Sequence, residues 1–217
     1  MRTFCTVLTP LALLLHVLVG PASGELIMIG LRGEVTYIDQ SAYDLLEGHV
    51  ELGDTLTGTY TYDSQTPDSN PLSGVGDYYQ DSAPCGIRLE AGGIVFESDP
   101  DILDFLIELN DNHVGQDNYL LRSYNNLPLA NGVEVDHISW QLDDPSCTAI
   151  SSDALPLGPP VLADWQYQTL MINLGFKGGA ILRGEVTSVW LIPEPATVLL
   201  LGSGGLLVLR KRRRGGF

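Results

Sequence analysis

The sequence predicts an all-β protein: an antiparallel β-sandwich or jelly-roll-like domain over residues 25–192. Two observations carry this expectation. Apolar and polar residues alternate over short stretches, which is the period of a half-buried strand. Glycine and proline, 24 and 13 in a chain of 217, punctuate those stretches at close intervals, and no long helical period runs between them. Many short strands with frequent turns bury one face each, and a sandwich or jelly roll satisfies that need.

Both ends of the chain fall outside this domain. Residues 1–24 carry a lone Arg2, an apolar run from Leu11 to Val19, and the small-residue exit Gly20-Pro21-Ala22-Ser23-Gly24. That order is the n-region, h-region and cleavage site of a secretory signal peptide, with cleavage expected after Gly24 or Ala22. Its apolar core is shorter than the ~20 residues a membrane-spanning helix needs. The general secretory machinery and signal peptidase are the partners this segment implies. Residues 193–217 form a second appendage. What lies between is long enough for one domain with a real core.

The strands follow in order. Leu31, Gly33, Val35 and Tyr37 share one face of a first strand, with Arg32, Glu34 and Thr36 opposite. Leu56, Gly58, Tyr60 and Tyr62 repeat the pattern against Thr57, Thr59 and Thr61. Further strands are expected near 86–90, 93–98, 102–109, 118–124, 133–142, 168–175 and 180–191. The stretch 133–142 changes phase: Val133 and Val135 fit one face, Ile138, Trp140 and Leu142 the other. A β-bulge near Asp136-His137 reconciles them, because one extra residue flips every later side chain. Residues 161–166, after Pro159-Pro160, are expected to form one helical turn. Residues 63–76 and 143–160 are rich in turn formers and are expected to be surface loops.

One hexapeptide occurs twice. Leu31-Arg32-Gly33-Glu34-Val35-Thr36 returns letter for letter as Leu182-Arg183-Gly184-Glu185-Val186-Thr187. Two copies do not make a tandem repeat fold. They mark two equivalent strands at the start and end of the domain, expected to lie side by side and bring its termini together.

Charge is uneven. Of 27 acidic residues all but Glu194 lie in the domain, against five basic ones: Arg32, Arg88, Arg122, Lys177 and Arg183. Such a surface repels phosphates and excludes nucleic acid as a partner. Cys5 leaves with the signal peptide, and Cys85 and Cys147 remain. An even pair in an exported chain is expected to form a disulfide, worth roughly 4 kcal/mol for so long a loop.

The tail has three parts. Pro193-Glu194-Pro195 cannot continue a strand or helix. Residues 196–209 are apolar, with Gly202, Ser203, Gly204 and Gly205 in the middle, and are expected to form a transmembrane helix. Fourteen residues rise about 21 Å, short of a ~30 Å core, so the span relies on a thinned bilayer and on Arg210 reaching the interface. Arg210, Lys211, Arg212, Arg213 and Arg214 follow and stay cytoplasmic by the positive-inside rule. The domain is then placed on the far side of the inner membrane, as the signal peptide also requires.

Taken together, this box, glycine-containing apolar stretch and basic cluster resemble the PEP-CTERM sorting signal of Gram-negative bacteria, over about the last 25 residues. In that family a Val most often precedes the box; here it is Ile192. The resemblance implies processing by an exosortase, a membrane-embedded cysteine transpeptidase-like enzyme that cuts near the box. It also implies delivery to the cell surface or extracellular matrix and an association with exopolysaccharide and biofilm. Residues 53–63 and Gly76-Asp77-Tyr78-Tyr79 are similar to the β-rich ectodomains found ahead of such tails, which carry no activity to transfer.

Within the domain no catalytic motif emerges. His49, His113 and His137 are scattered without zinc-ligand spacing. Asp111, Asn112, Asp117 and Asn118 are the best oxygen-rich candidates for calcium, although no EF-hand or nonapeptide repeat is present; otherwise no cofactor is expected. Tyr78, Tyr79 and Trp165 lie in or near expected loops and are candidates for stacking on sugar rings, with Trp140 assigned to the core. The expectation is a structural or weakly carbohydrate-binding surface protein without catalysis. The alternatives are a secreted carbohydrate-active hydrolase using a carboxylate pair and a calcium-dependent adhesin.

Overall fold

The computed structural model describes residues 25–175, 177 and 179–193. The signal segment, Glu194, Pro195, the expected span 196–209 and the basic cluster 210–214 lie outside the described residues. No helix among those described is long and apolar enough to cross a membrane.

Ten strands make up the domain: β1 Leu26–Ile38, β2 Thr55–Asp63, β3 Val75–Gln80, β4 Gly86–Ala91, β5 Ile94–Glu97, β6 Phe105–His113, β7 Gln116–Ser123, β8 Val135–Asp144, β9 Tyr167–Leu174 and β10 Ala180–Ile192. A six-residue helix, α1 Gln40–Leu45, follows β1, and a 3₁₀ turn at Leu162–Asp164 precedes β9. Every pairing is antiparallel.

The all-β, antiparallel expectation holds, but hydrogen bonding joins all ten strands into one sheet rather than two. Its order is β3-β6-β7-β8-β9-β10-β1-β2-β4-β5. The sheet curls so that its halves face each other. Tyr60 of β2 and Tyr119 of β7 have four strands between them in that order, yet their hydroxyls meet at 3.1 Å in the core. Burial pushes both phenols well above their usual pKa, so the contact is a hydrogen bond between neutral hydroxyls. Tyr62, Trp140 and Trp165 extend the cluster, with ring centroids 6.1–6.4 Å apart from their neighbours. Leu31, Leu56, Ile107, Ile138, Leu170 and Leu182 fill the space around them.

The phase change in β8 is a bulge where expected. Val135 pairs with Leu174 and His137 with Asn173, so Asp136 is the extra residue. Val135 is buried before it, and Ile138, Trp140 and Leu142 after it.

The two copies of the hexapeptide pair with each other. Gly33 faces Val186, Glu34 faces Glu185 and Val35 faces Gly184, a local two-fold centred on the two glutamates. The symmetry reaches the irregularities. The ladder slips between Arg32 and Gly33 and again between Val35 and Tyr37, which leaves Thr187 and Thr36, equivalent residues of the motif, as the bulged positions. Each small Gly lies opposite a Val, so both faces stay level at the core. Farther along, Met28 pairs with Ile192, so the first and last strands leave the domain side by side.

Two elements depart from expectation. β3 begins within the region expected to be loop, and α1 was not anticipated. Asp39 caps α1: one oxygen accepts from the Ala42 N–H at 2.7 Å and the other from the Ile181 N–H at 2.9 Å, tying the helix to β10.

Candidate functional site

The oxygen-rich residues gather at one end of β7 and β8. Asp117 and Asp144 face each other in the ladder and are both buried. Asp117 spends one oxygen on the Asn112 N–H at 2.8 Å and the other on the Ile150 N–H at 3.1 Å. Asn118 donates to the Leu142 carbonyl at 3.0 Å and to Asp143 at 2.9 Å, and Asp111 accepts from Asn112. Asp144 accepts from the Ser146 and Thr148 hydroxyls and from three N–H groups, of Ser146, Thr148 and Ala149. The Ser146 hydroxyl, then the Thr148 and Ser146 N–H groups, hold its carboxyl well below the usual range. These carboxylates therefore fasten the 145–150 loop to the sheet through backbone donors. The four calcium candidates are neighbours, but no group of three or more His, Cys, Asp or Glu among the described residues is arranged to hold a metal.

The aromatic candidates separate. Tyr78 is a core residue, 6% exposed, whose hydroxyl donates to the Asp153 carbonyl at 2.9 Å; it presents no face to a ligand. Its neighbour Tyr79 points the other way and is 52% exposed. Adjacent residues of a strand must divide between faces, and β3 places 76, 78 and 80 inward. Trp165 is half-buried, its edge against Tyr119, and borders a cavity of about 520 Å³ with Gln166, Tyr167 and Glu185. Tyr79 borders another, of about 500 Å³, between the β2–β3 and β3–β4 connections.

The expected disulfide is absent: Cys85 and Cys147 are both free and partly buried. Their surroundings differ. Cys85 lies beside Asp63 and Asp81, while Cys147 lies among Asp111, Asp117 and Asp144. Burial first, with those carboxylates adding to it, pushes both thiols above their usual pKa. A count of cysteines sets how many bridges are conceivable, whereas pairing needs close Cβ positions, and here the two thiols sit in separate loops.

Gln80, beside Tyr79, was not among the sequence candidates. Its Oε1 accepts from the Asp63 N–H at 3.1 Å and the Thr66 hydroxyl at 3.0 Å. The signal for it was a lone amide in the inward phase of Gly76, Tyr78 and Gln80.

Comparison with protein-family models, with curated proteins and with solved structures returned no match.

Proposed function

We propose that the chain is an exported, exosortase-sorted protein of the cell surface or extracellular matrix, whose β domain is structural or weakly carbohydrate-binding and does no catalysis. The tail supplies the sorting signal: the Pro193-Glu194-Pro195 box, the apolar residues 196–209 and the basic cluster from Arg210 to Arg214. One structural observation supports it. Met28 pairs with Ile192, so the chain enters and leaves the domain at the same place. A signal segment and a sorting tail attached there reach one membrane from one side of the domain without unfolding it. The domain waits in the periplasm, held by its tail, until the exosortase releases it outward.

The carbohydrate part rests on aromatic rings at two cavities, the exposed Tyr79 at one and the half-buried Trp165 beside the exposed Tyr167 at the other. A hydrolase needs a carboxyl that holds a proton at working pH. Asp144, half of the buried facing pair with Asp117, is held in its ionised form instead, which favours the structural reading of that pair.

The test is the intact mass of the protein recovered from the envelope and from the medium. Sorting predicts a released form beginning after Ala22 or Gly24 and ending near Pro195. A released form that retains Phe217 would remove the exosortase from the account and leave a plain anchor.

A further inference from the structure

Trp190 is the most exposed of the chain's three tryptophans, and it lies just before the Pro193-Glu194-Pro195 box. Its setting explains the exposure. β9 accompanies β10 only as far as Gly184, so among the described strands residues 185–192 run beside β1 alone. Directly paired residues point to the same side of a sheet. Met28 faces Ile192 and Gly30 faces Trp190, so Met28, Trp190 and Ile192 share the outer side. Leu191 faces the buried Ile29 and takes the inner side. Met28 is 38% exposed, Trp190 45% and Leu191 47%. The indole rests on Gly30, where any Cβ would collide with it, so the sheet holds the ring in place. Residues 25–30 and 189–193 hold no Lys or Arg.

Apolar side chains thus leave both faces of one strand end. A protein partner docking on the sheet from the side would need one face only. An end lowered into an apolar layer needs both. Chain length points to the same layer. Ala196, the first residue of the expected span, is four residues beyond Ile192, at most about 14 Å of extended chain. The span itself rises about 21 Å against a hydrocarbon core of ~30 Å. The missing ~9 Å is met by a thinner bilayer or by apolar residues drawn in ahead of the span. The headgroup layer is only about 5–8 Å deep on each side. Both constraints pull the end of β10 toward that layer, and the residues there are the ones left exposed.

We propose that Met28, Trp190, Leu191 and Ile192 seat the domain in the headgroup boundary of the bilayer that holds its tail, with Trp190 at the level where aromatic rings collect. This rests on the tail acting as an anchor, as read above. It adds that the domain is docked on the periplasmic face of the membrane rather than tethered above it. Seating also brings the Pro193-Glu194-Pro195 box to the surface at which a membrane-embedded exosortase works.

The unprocessed chain, freed of its signal segment and ending at Phe217, is reconstituted into phosphatidylcholine vesicles. Flotation in high salt reports the anchor. Tryptophan fluorescence is then compared in lipid brominated near the headgroup and lipid brominated at the end of the acyl chain. The expected result is flotation, stronger quenching by the shallow bromine than by the deep one, and loss of most of that quenching in Trp190→Phe. Phenylalanine keeps an aromatic ring over Gly30, and the depth profile of the wild type does not depend on the variant folding. If the chain floats and neither lipid quenches it, the domain hangs free of the bilayer: the seat is wrong and the anchor stands. Quenching that survives in Trp190→Phe comes from another tryptophan and also overturns the seat. If the chain does not float, the seat and the anchor fall together.

Discussion

The two copies of Leu-Arg-Gly-Glu-Val-Thr are identical in sequence and paired about a two-fold, yet their glycines are not equally constrained. A Cβ built on Gly33 would stand 2.1 Å from the Glu185 carbonyl oxygen, with Glu185 and Val186 backbone atoms behind it. The same atom on Gly184 would stand 3.1 Å from the Glu34 carbonyl oxygen and 3.3 Å from a methyl of Leu56. The surroundings break the symmetry. β1 is held between β10 and β2 from Met28 to Glu34, whereas β10 is held between β1 and β9 only from Leu182 to Gly184, so Gly33 lies one residue inside its flanked stretch and Gly184 at the end of its own. The bulge at Thr187 is also braced, its hydroxyl donating to the Arg32 carbonyl at 3.2 Å. Identical residues in symmetric register thus carry different loads, because the load comes from the neighbours.

The largest expected effect is therefore at Gly33. Gly33→Ala forces two hydrogen-bonded backbones apart, and overpacking against backbone falls at the upper end of its usual range, about 3 kcal/mol. For a domain of this size that lowers Tm by about 10 °C. Gly184→Ala asks Leu56 and the Glu34 carbonyl to give by a few tenths of an ångström, and the lost chain entropy of glycine offsets part of the strain. Its cost is expected near 1 kcal/mol or below. Urea unfolding of both variants measures the contrast. Equal losses would mean that the two copies are equivalent after all and that the asymmetry at the seam carries no energy.

The seam was legible because its information is local. A repeated hexapeptide at both ends of a domain, with strict alternation, leaves few places to put either copy except beside the other. The bulge at Asp136 was legible for the same reason: the side chains of β8 announce a phase change that only an inserted residue absorbs. Other features depend on partners distant in sequence. Alternation says which face of a strand is buried but not whether hydrogen bonds run unbroken from β7 through to β2, so the single curled sheet was not visible. β3 lies at a sheet edge and starts inside a run of turn formers, which hid it. With β3 unassigned, Tyr78 and Tyr79 looked alike, although adjacency in a strand sends one to the core and leaves the other outside. Six residues are too few to show a helical period, so α1 was marked only by its Asp39 cap. Gln80 matters through what its amide oxygen meets, which no spacing in the chain encodes.

The smallest effect at the seam tests its electrostatics. Glu34 and Glu185 face each other at the centre of the two-fold, both exposed. Like charges directly opposite across antiparallel strands are mildly destabilising, and opposite charges stabilise by roughly 0.2–1 kcal/mol. Glu34→Lys is expected to raise stability by about 0.5 kcal/mol, since it replaces repulsion with attraction in a domain that already carries a large acidic excess. By the two-fold, Glu185→Lys should give a similar gain. The double variant restores like charges across the pair and should fall short of the sum of the single gains, although it also lowers the overall acidic charge. Because the side chains are exposed, the single gains should shrink in high salt, where charges farther apart than ~3 Å at 1 M are screened. Additive gains in the double variant would show that the benefit comes from net charge alone, and the face-to-face placement of the glutamates would then have no energetic consequence of its own.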